Sequence, residues 1–189
     1  MIKKILKNKK GAVENVHFVI LSIAFLTIFL FLIDVMLFTR TYIGMSNFLE
    51  GITRSISIQG SVFSSTPNKF PGGADMYFTK DEIKTNLLNA AKKYKLDERN
   101  ISMFVQSIKS NTLKTSPQSY DYIIKSYNTS FVPKNGTLAT NNVWIDYGQP
   151  IKTGLNYAYK TILGGVNIQV KIYKNGISEY KHSTNSWNY

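Results

Sequence analysis

The sequence predicts an α+β fold: a long N-terminal transmembrane helix that extends outward, then a second helix and a small antiparallel β-sheet domain. Three observations carry this. An apolar run fills residues 16–38, an apolar stripe continues beyond it at helical spacing, and the C-terminal half consists of alternating segments between polar loops. The corresponding division is a basic leader over 1–11, a helix over 12–60, a linker over 61–78 and an α+β domain over 79–189.

The run reads VHFVILSIAFLTIFLFLIDVMLF, 23 residues with Asp34 as its single formal charge. At ~1.5 Å per residue it covers roughly 34 Å, enough for a hydrocarbon core of ~30 Å. Backbone groups in lipid must satisfy one another within the segment, so such a run folds as a helix. A buried core helix would carry a polar stripe, yet between Phe18 and Ile33 the only polar residues are Ser22 and Thr27. A signal peptide has a shorter apolar region and then a small-x-small site. Thr39-Arg40-Thr41-Tyr42 offers none.

Residues 1–10, MIKKILKNKK, hold five lysines and no acid, whereas Arg40 is the only basic residue directly after the run. The positive-inside bias therefore predicts a single-pass protein of the cell membrane, N-terminus cytoplasmic and C-terminal domain extracytoplasmic.

Beyond Arg40, Tyr42, Met45, Phe48, Leu49, Ile52 and Ile56 recur every three or four residues. This predicts an amphipathic continuation of the same helix to about Gln59, with Gly60 as its stop. Met45, Phe48, Leu49, Ile52 and Ile56 are read as helix–helix contacts with neighbouring subunits; the same stripe would also serve to pack against the chain's own domain. Residues 61–78 are rich in Ser, Pro and Gly and read as a linker or long loop. Thr79-Lys80-Asp81-Glu82 fits a capping box. It opens a helix over 80–95, with Ile83, Leu87, Leu88, Ala91 and Tyr94 on one face, and Asp97-Glu98-Arg99-Asn100 makes a turn.

Alternation then marks strands around Ile101, Met103 and Val105, around Tyr120, Tyr122 and Ile124, around Val143, Ile145 and Tyr147, and through 166–173. Lys174-Asn175-Gly176 between alternating runs predicts a hairpin turn, because Asn and Gly tolerate positive φ. Residues 155–163 suit either a short helix or a strand. The loops over 107–119 and 128–142 read as exposed connections, and the terminal HSTNSWNY as a tail.

The formal charge is +12, from 23 Lys+Arg against 11 Asp+Glu. Beyond Arg40 there are 17 basic and 9 acidic residues, and the lysines are evenly spread apart from Lys92, Lys93 and Lys95. A nucleic-acid partner would call for a concentrated patch and is not expected. A solvated surface drawn to anionic headgroups or wall polymers is. The absence of cysteine excludes disulfides and thiol chemistry, and fits an extracytoplasmic bacterial protein. With His17 and His182 the only histidines, no metal site is expected, and no spacing favours His182 with Asp121 or Asp146 as catalytic partners. No phosphate-binding, zinc-protease or nucleophile-elbow motif occurs. No catalytic residue, metal or cofactor is assigned.

Between leader and span stands Lys9-Lys10-Gly11-Ala12-Val13-Glu14. A basic leader, a Gly, a short stretch with a Glu and then about twenty apolar residues resembles the prepilin signal of TadE-like pseudopilins of tight-adherence pilus systems. The resemblance extends to about Gly60, where residues 52–60 resemble the segment that closes the family's helix. It implies that a prepilin-type peptidase cuts after Gly11, making Ala12 the first residue and leaving the helix as an anchor that can enter a filament. It further implies a non-enzymatic, pilin-like subunit of a surface pilus, secretion or conjugation-type machine, partnered by the membrane and by other pilin-like or membrane-complex subunits. The family carries Glu at the fifth mature position; here that position is Val16, with Glu14 at the third and His17 at the sixth.

The residues themselves suggest simpler roles for these polar positions. Glu14 complements the positive end of the helix dipole, worth ~0.3–1 kcal/mol. His17 reaches headgroups. Asp34, one turn from the outer end, is a candidate contact for a partner helix. The rival to a filament subunit is a bitopic, membrane-anchored binding domain that does not assemble.

Overall fold

A computed structural model of the chain describes residues 2–63, 78–107, 119–126, 131, 137–138, 145 and 147–179, with backbone alone over 2–13. Helix α1 runs unbroken over Ile2–Gln59, 58 residues or about 87 Å. The leader expected to precede the helix is part of it. Ile, Leu and Lys are good helix formers, and no proline occurs before Pro67. The helix stops where the sequence predicts: Gly60 takes a φ of 67° and its N–H returns to the Ile56 carbonyl at 2.8 Å.

Helix α2 spans Lys80–Lys93 and begins with the expected capping box. The Thr79 N–H donates to Glu82 at 2.7 Å, and the Glu82 N–H donates to the Thr79 hydroxyl at 3.3 Å. A single 3₁₀ turn, Glu98–Asn100, follows with Asp97 as its cap. The Arg99 N–H and guanidinium hold the Asp97 carboxyl below the usual carboxylate range.

The strands are β1 Ser102–Ser107, β2 Ser119–Ile124, β3 Thr137–Leu138, β4 Pro150–Lys160 and β5 Asn167–Ile177, in sheet order β3-β2-β1-β4-β5. The β2–β1, β1–β4 and β4–β5 pairs are antiparallel, and the two-residue β3 adds a parallel edge. Residues 155–163 resolve as strand through Lys160, because Leu155, Tyr157 and Tyr159 point one way along β4 into a core that needs that face filled.

Both helices lie on one face of the sheet, α1 across β4 and β5, and α2 over β2. Met45, Leu49, Ile52 and Ile56 of α1 join Ile83, Leu87 and Ala91 of α2 and the inward side chains of β1, β4 and β5 in one core. The opposite face carries an aromatic group of Phe104, Phe131 and Tyr173, with ring centroids 5.1–6.4 Å apart. Gly154 makes room for it. A Cβ there would run into the Phe104 ring.

The hairpin expected at Lys174-Asn175-Gly176 does not form. Asn175 pairs with Lys152 and Gly176 with Ile151 in an unbroken ladder. Gly176 serves a close approach instead, since a Cβ would lie 2.6 Å from the Ser57 hydroxyl of α1. The reversal occurs over 161–166, where Gly164 and Gly165 take φ of 82° and 62°. Of the expected linker, Val62 and Phe63 are buried, and the Lys80 N–H bonds the Phe63 carbonyl at 2.8 Å. Of the expected strand around Ile145, Ile145 and Tyr147 lie outside any strand, and Val143 lies outside the described residues. Of the long loops, residues 108–118, 128–130, 132–136 and 139–142 also lie outside them, as do the C-terminal tail with His182 and Asp146.

Candidate functional site

The chain's distinctive site is the place where α1 changes surroundings. From 16 to 33 its apolar side chains stand open except the half-buried Leu30 and Ile33, with Phe18 at 72% and Phe25 at 73% exposure. From Asp34 onward one face is covered by the chain's own sheet. The uncovered stretch from Glu14 to Ile33 is about 30 Å long, the thickness of a hydrocarbon core. A helix of this length and composition is able to cross a membrane.

Asp34 marks the change. Although it lies inside the apolar run, it is 6% exposed. The hairpin between β4 and β5 reaches down to it. The Tyr159 hydroxyl donates to Asp34 Oδ1 at 2.9 Å, and the backbone N–H groups of Ile162 and Leu163 donate to Oδ2 at 3.0 and 3.4 Å. A buried carboxylate and two turn amides with no strand partner are costly apart and satisfy one another together. Burial, then the Asp34 hydrogen bond and charge, push the Tyr159 phenol up to about 12. The Phe38 ring meets Tyr159 edge-on at 5.2 Å. Within the turn the Val166 N–H donates to the Thr161 hydroxyl, and that hydroxyl donates to the Leu163 carbonyl, both at 2.9 Å.

Further out the helix is fastened at regular intervals. Glu50 pairs with Lys174 at 3.0 Å, and the Thr53 and Thr153 hydroxyls meet at 2.6 Å in the core. The Glu179 N–H donates to the Ser57 carbonyl at 2.8 Å. Gln59 bridges to the start of α2's lead-in, donating to the Phe78 carbonyl at 3.1 Å and accepting from its N–H at 3.0 Å.

These contacts correct two sequence expectations. Met45, Leu49, Ile52 and Ile56 are buried in the chain's own core and Phe48 packs against it, so this stripe faces the sheet and α2 rather than a neighbouring subunit. Asp34 is bonded to the chain's own hairpin, not left for a partner helix. Glu14 and His17 are exposed on α1, on the far side of the open stretch, and Gly11 and Ala12 lie in its helical backbone. Asp121, one carboxylate weighed for catalysis, binds Lys80 at 2.8 Å. Among the described residues no three of His, Asp and Glu gather as metal ligands would.

Sequence reasoning missed one feature here. A cleft of about 430 Å³ opens where α1, the end of α2 and the end of β4 converge, beside Arg40, Lys93, Lys95 and Lys160. The Lys92-Lys93-Lys95 cluster was its one visible signal. No family model, curated protein or solved structure matches the chain.

Proposed function

We propose that the chain is a non-enzymatic, membrane-anchored structural subunit, a pilin-like component of a surface pilus, secretion or conjugation-type assembly. Its N-terminus is cytoplasmic and its α+β domain extracytoplasmic. The observation that carries this reading is the double use of α1: open and apolar along its first half, it becomes the central strut of the α+β core along its second. A helix shared in this way transmits force between bilayer and domain without a flexible joint, which suits a subunit that is held in a membrane and then drawn into an assembly. The five leader lysines support the orientation. The resemblance around Gly11 supports the class of machine.

Processing tests it. Sequencing of the native protein's N-terminus, in cells that hold a prepilin-type peptidase, is expected to give Ala12. Gly11→Val should block the cut while leaving insertion intact. A native protein that still begins at Met1 would overturn the pilin-like reading. The second reading, an anchored domain that does not assemble, would then stand; it is favoured by the engagement of both Asp34 and the Met45–Ile56 stripe within the chain, which leaves the open stretch over 16–33 as the surface for any neighbour.

A further inference from the structure

We propose that the cleft at the foot of the domain binds the phosphate of an anionic phospholipid from the leaflet that the domain faces, with an acyl chain lying against Leu37 and Ile162. The proposal rests on the reading of α1 as a membrane anchor. Arg40 comes from α1, Lys93 and Lys95 from the end of α2, and Lys160 from the end of β4, so three separate elements bring four cations to one opening. Among the described residues no carboxylate lines it. None of the ion pairs among the described residues uses any of the four.

The lysines are not consumed by the helix end either. The Ala91 and Lys92 carbonyls near the end of α2 are taken by backbone N–H groups, those of Tyr94 and Leu96 returning to Ala91 at 3.2 and 2.9 Å and that of Lys95 to Lys92 at 3.1 Å. Asp34, the nearest buried acid, already accepts three hydrogen bonds from Tyr159, Ile162 and Leu163. What the described residues of the cleft present is net positive and free of ion pairs, Lys93 resting 5.6 Å from the centre of the Tyr94 ring, with a planar Arg fork suited to phosphate oxygens.

Depth selects a lipid over a soluble anion. Leu37 belongs to the last turn of the apolar run, and the hairpin tip is tied one turn further in, at Asp34. Ile162 and Val166 on that tip are 54% and 60% exposed. Apolar side chains at this level meet the acyl boundary while the cations above them meet headgroups, the arrangement of an interfacial anchor.

The test uses the full chain in detergent micelles, with phosphatidylglycerol competing against phosphatidylcholine and retained lipid counted by native mass spectrometry. One variant combines Lys93→Gln, Lys95→Asn and Lys160→Gln; Asn is chosen at 95 because φ there is 55°. A control of equal charge change combines Lys84→Gln, Lys125→Gln and Lys171→Gln. At about fivefold per lysine near an anionic surface, the cleft variant should lose preference for phosphatidylglycerol by up to ~100-fold, and by at least about tenfold, with the control little changed. Equal losses in both variants would mean diffuse surface charge and would overturn the proposal. So would a wild type with no preference, or one from which inorganic phosphate alone displaces the lipid. Failure of the anchor reading is seen separately, as release of the wild-type protein from membranes by alkaline carbonate.

Discussion

Asp34→Ala removes the acceptor shared by the Tyr159 hydroxyl and the Ile162 and Leu163 amides. The two shorter bonds, at 2.9 and 3.0 Å, are charge-assisted and worth ~1.5–3 kcal/mol each, whereas the third, at 3.4 Å, adds little. Their sum, about 6 kcal/mol at most, is offset in part because the variant no longer buries a carboxylate. A loss of about 3 kcal/mol in holding the hairpin down is expected, which is about 100-fold in the opening equilibrium. Hydrogen–deuterium exchange on the full chain in lipid nanodiscs reads this directly. Peptides covering 159–166 should exchange about 100-fold faster in the variant, while α2 and β1 hold their wild-type rates. Tyr159→Phe, which leaves both amide bonds in place, should cost about 1.5 kcal/mol and raise exchange only about tenfold. Exchange in Asp34→Ala within roughly threefold of wild type would refute the idea that this carboxylate ties hairpin to anchor.

Three further outcomes follow from the packing. Gly154→Ala pushes a methyl into the Phe104 ring and should lower stability by about 1–3 kcal/mol in thermal unfolding, with Phe104→Leu in the same chain recovering part of the loss. Leu49→Ala opens a cavity in the shared core and should cost about 2–5 kcal/mol while leaving crosslinks between copies unchanged; lost crosslinks at an unchanged melting temperature would return the stripe to a partner. Burial raises the Tyr157 and Tyr159 phenols from 10 to about 12, so the fold favours their neutral forms. Their contribution is complete below pH 10 and is lost as pH rises through about 12. Tyrosinate absorbance should therefore show at least these two late-ionising residues, with the melting temperature falling across the same interval.

Local rules reached much of this fold from sequence. The end of α1 at Gly60, the Thr79–Glu82 box and the turn at Asp97 each depend on residues within four positions of one another, and each forms as read. The Asn175-Gly176 pair was misleading because the same glycine that permits a turn also permits a helix to approach, and only the position of Ser57 decides between them. Gly164-Gly165, four residues beyond the last strand residue of β4, supplied the turn. Long-range pairing explains the remaining differences. Nothing near Asp34 in sequence announces Tyr159, 125 residues away, so its partner was sought on another helix. The stripe from Met45 to Ile56 was legible as a buried face, but its spacing is the same whether a sheet or a neighbour covers it. The cleft has three contributors far apart in the chain, and only the α2 lysines were clustered enough to notice.

On the proposed reading, α1 faces lipid up to Asp34 and is buried on one side beyond it. The chain has no cysteine, so single cysteines can be placed from 16 to 56 and spin-labelled in lipid vesicles at low protein density. Labels over 18–33 should collide freely with oxygen and poorly with aqueous nickel complexes, without helical periodicity. Beyond Asp34 a period of three to four residues should appear, with the least mobile labels at 45, 49, 52 and 56. Periodic immobilisation throughout 18–33, or nickel access along that stretch, would contradict it.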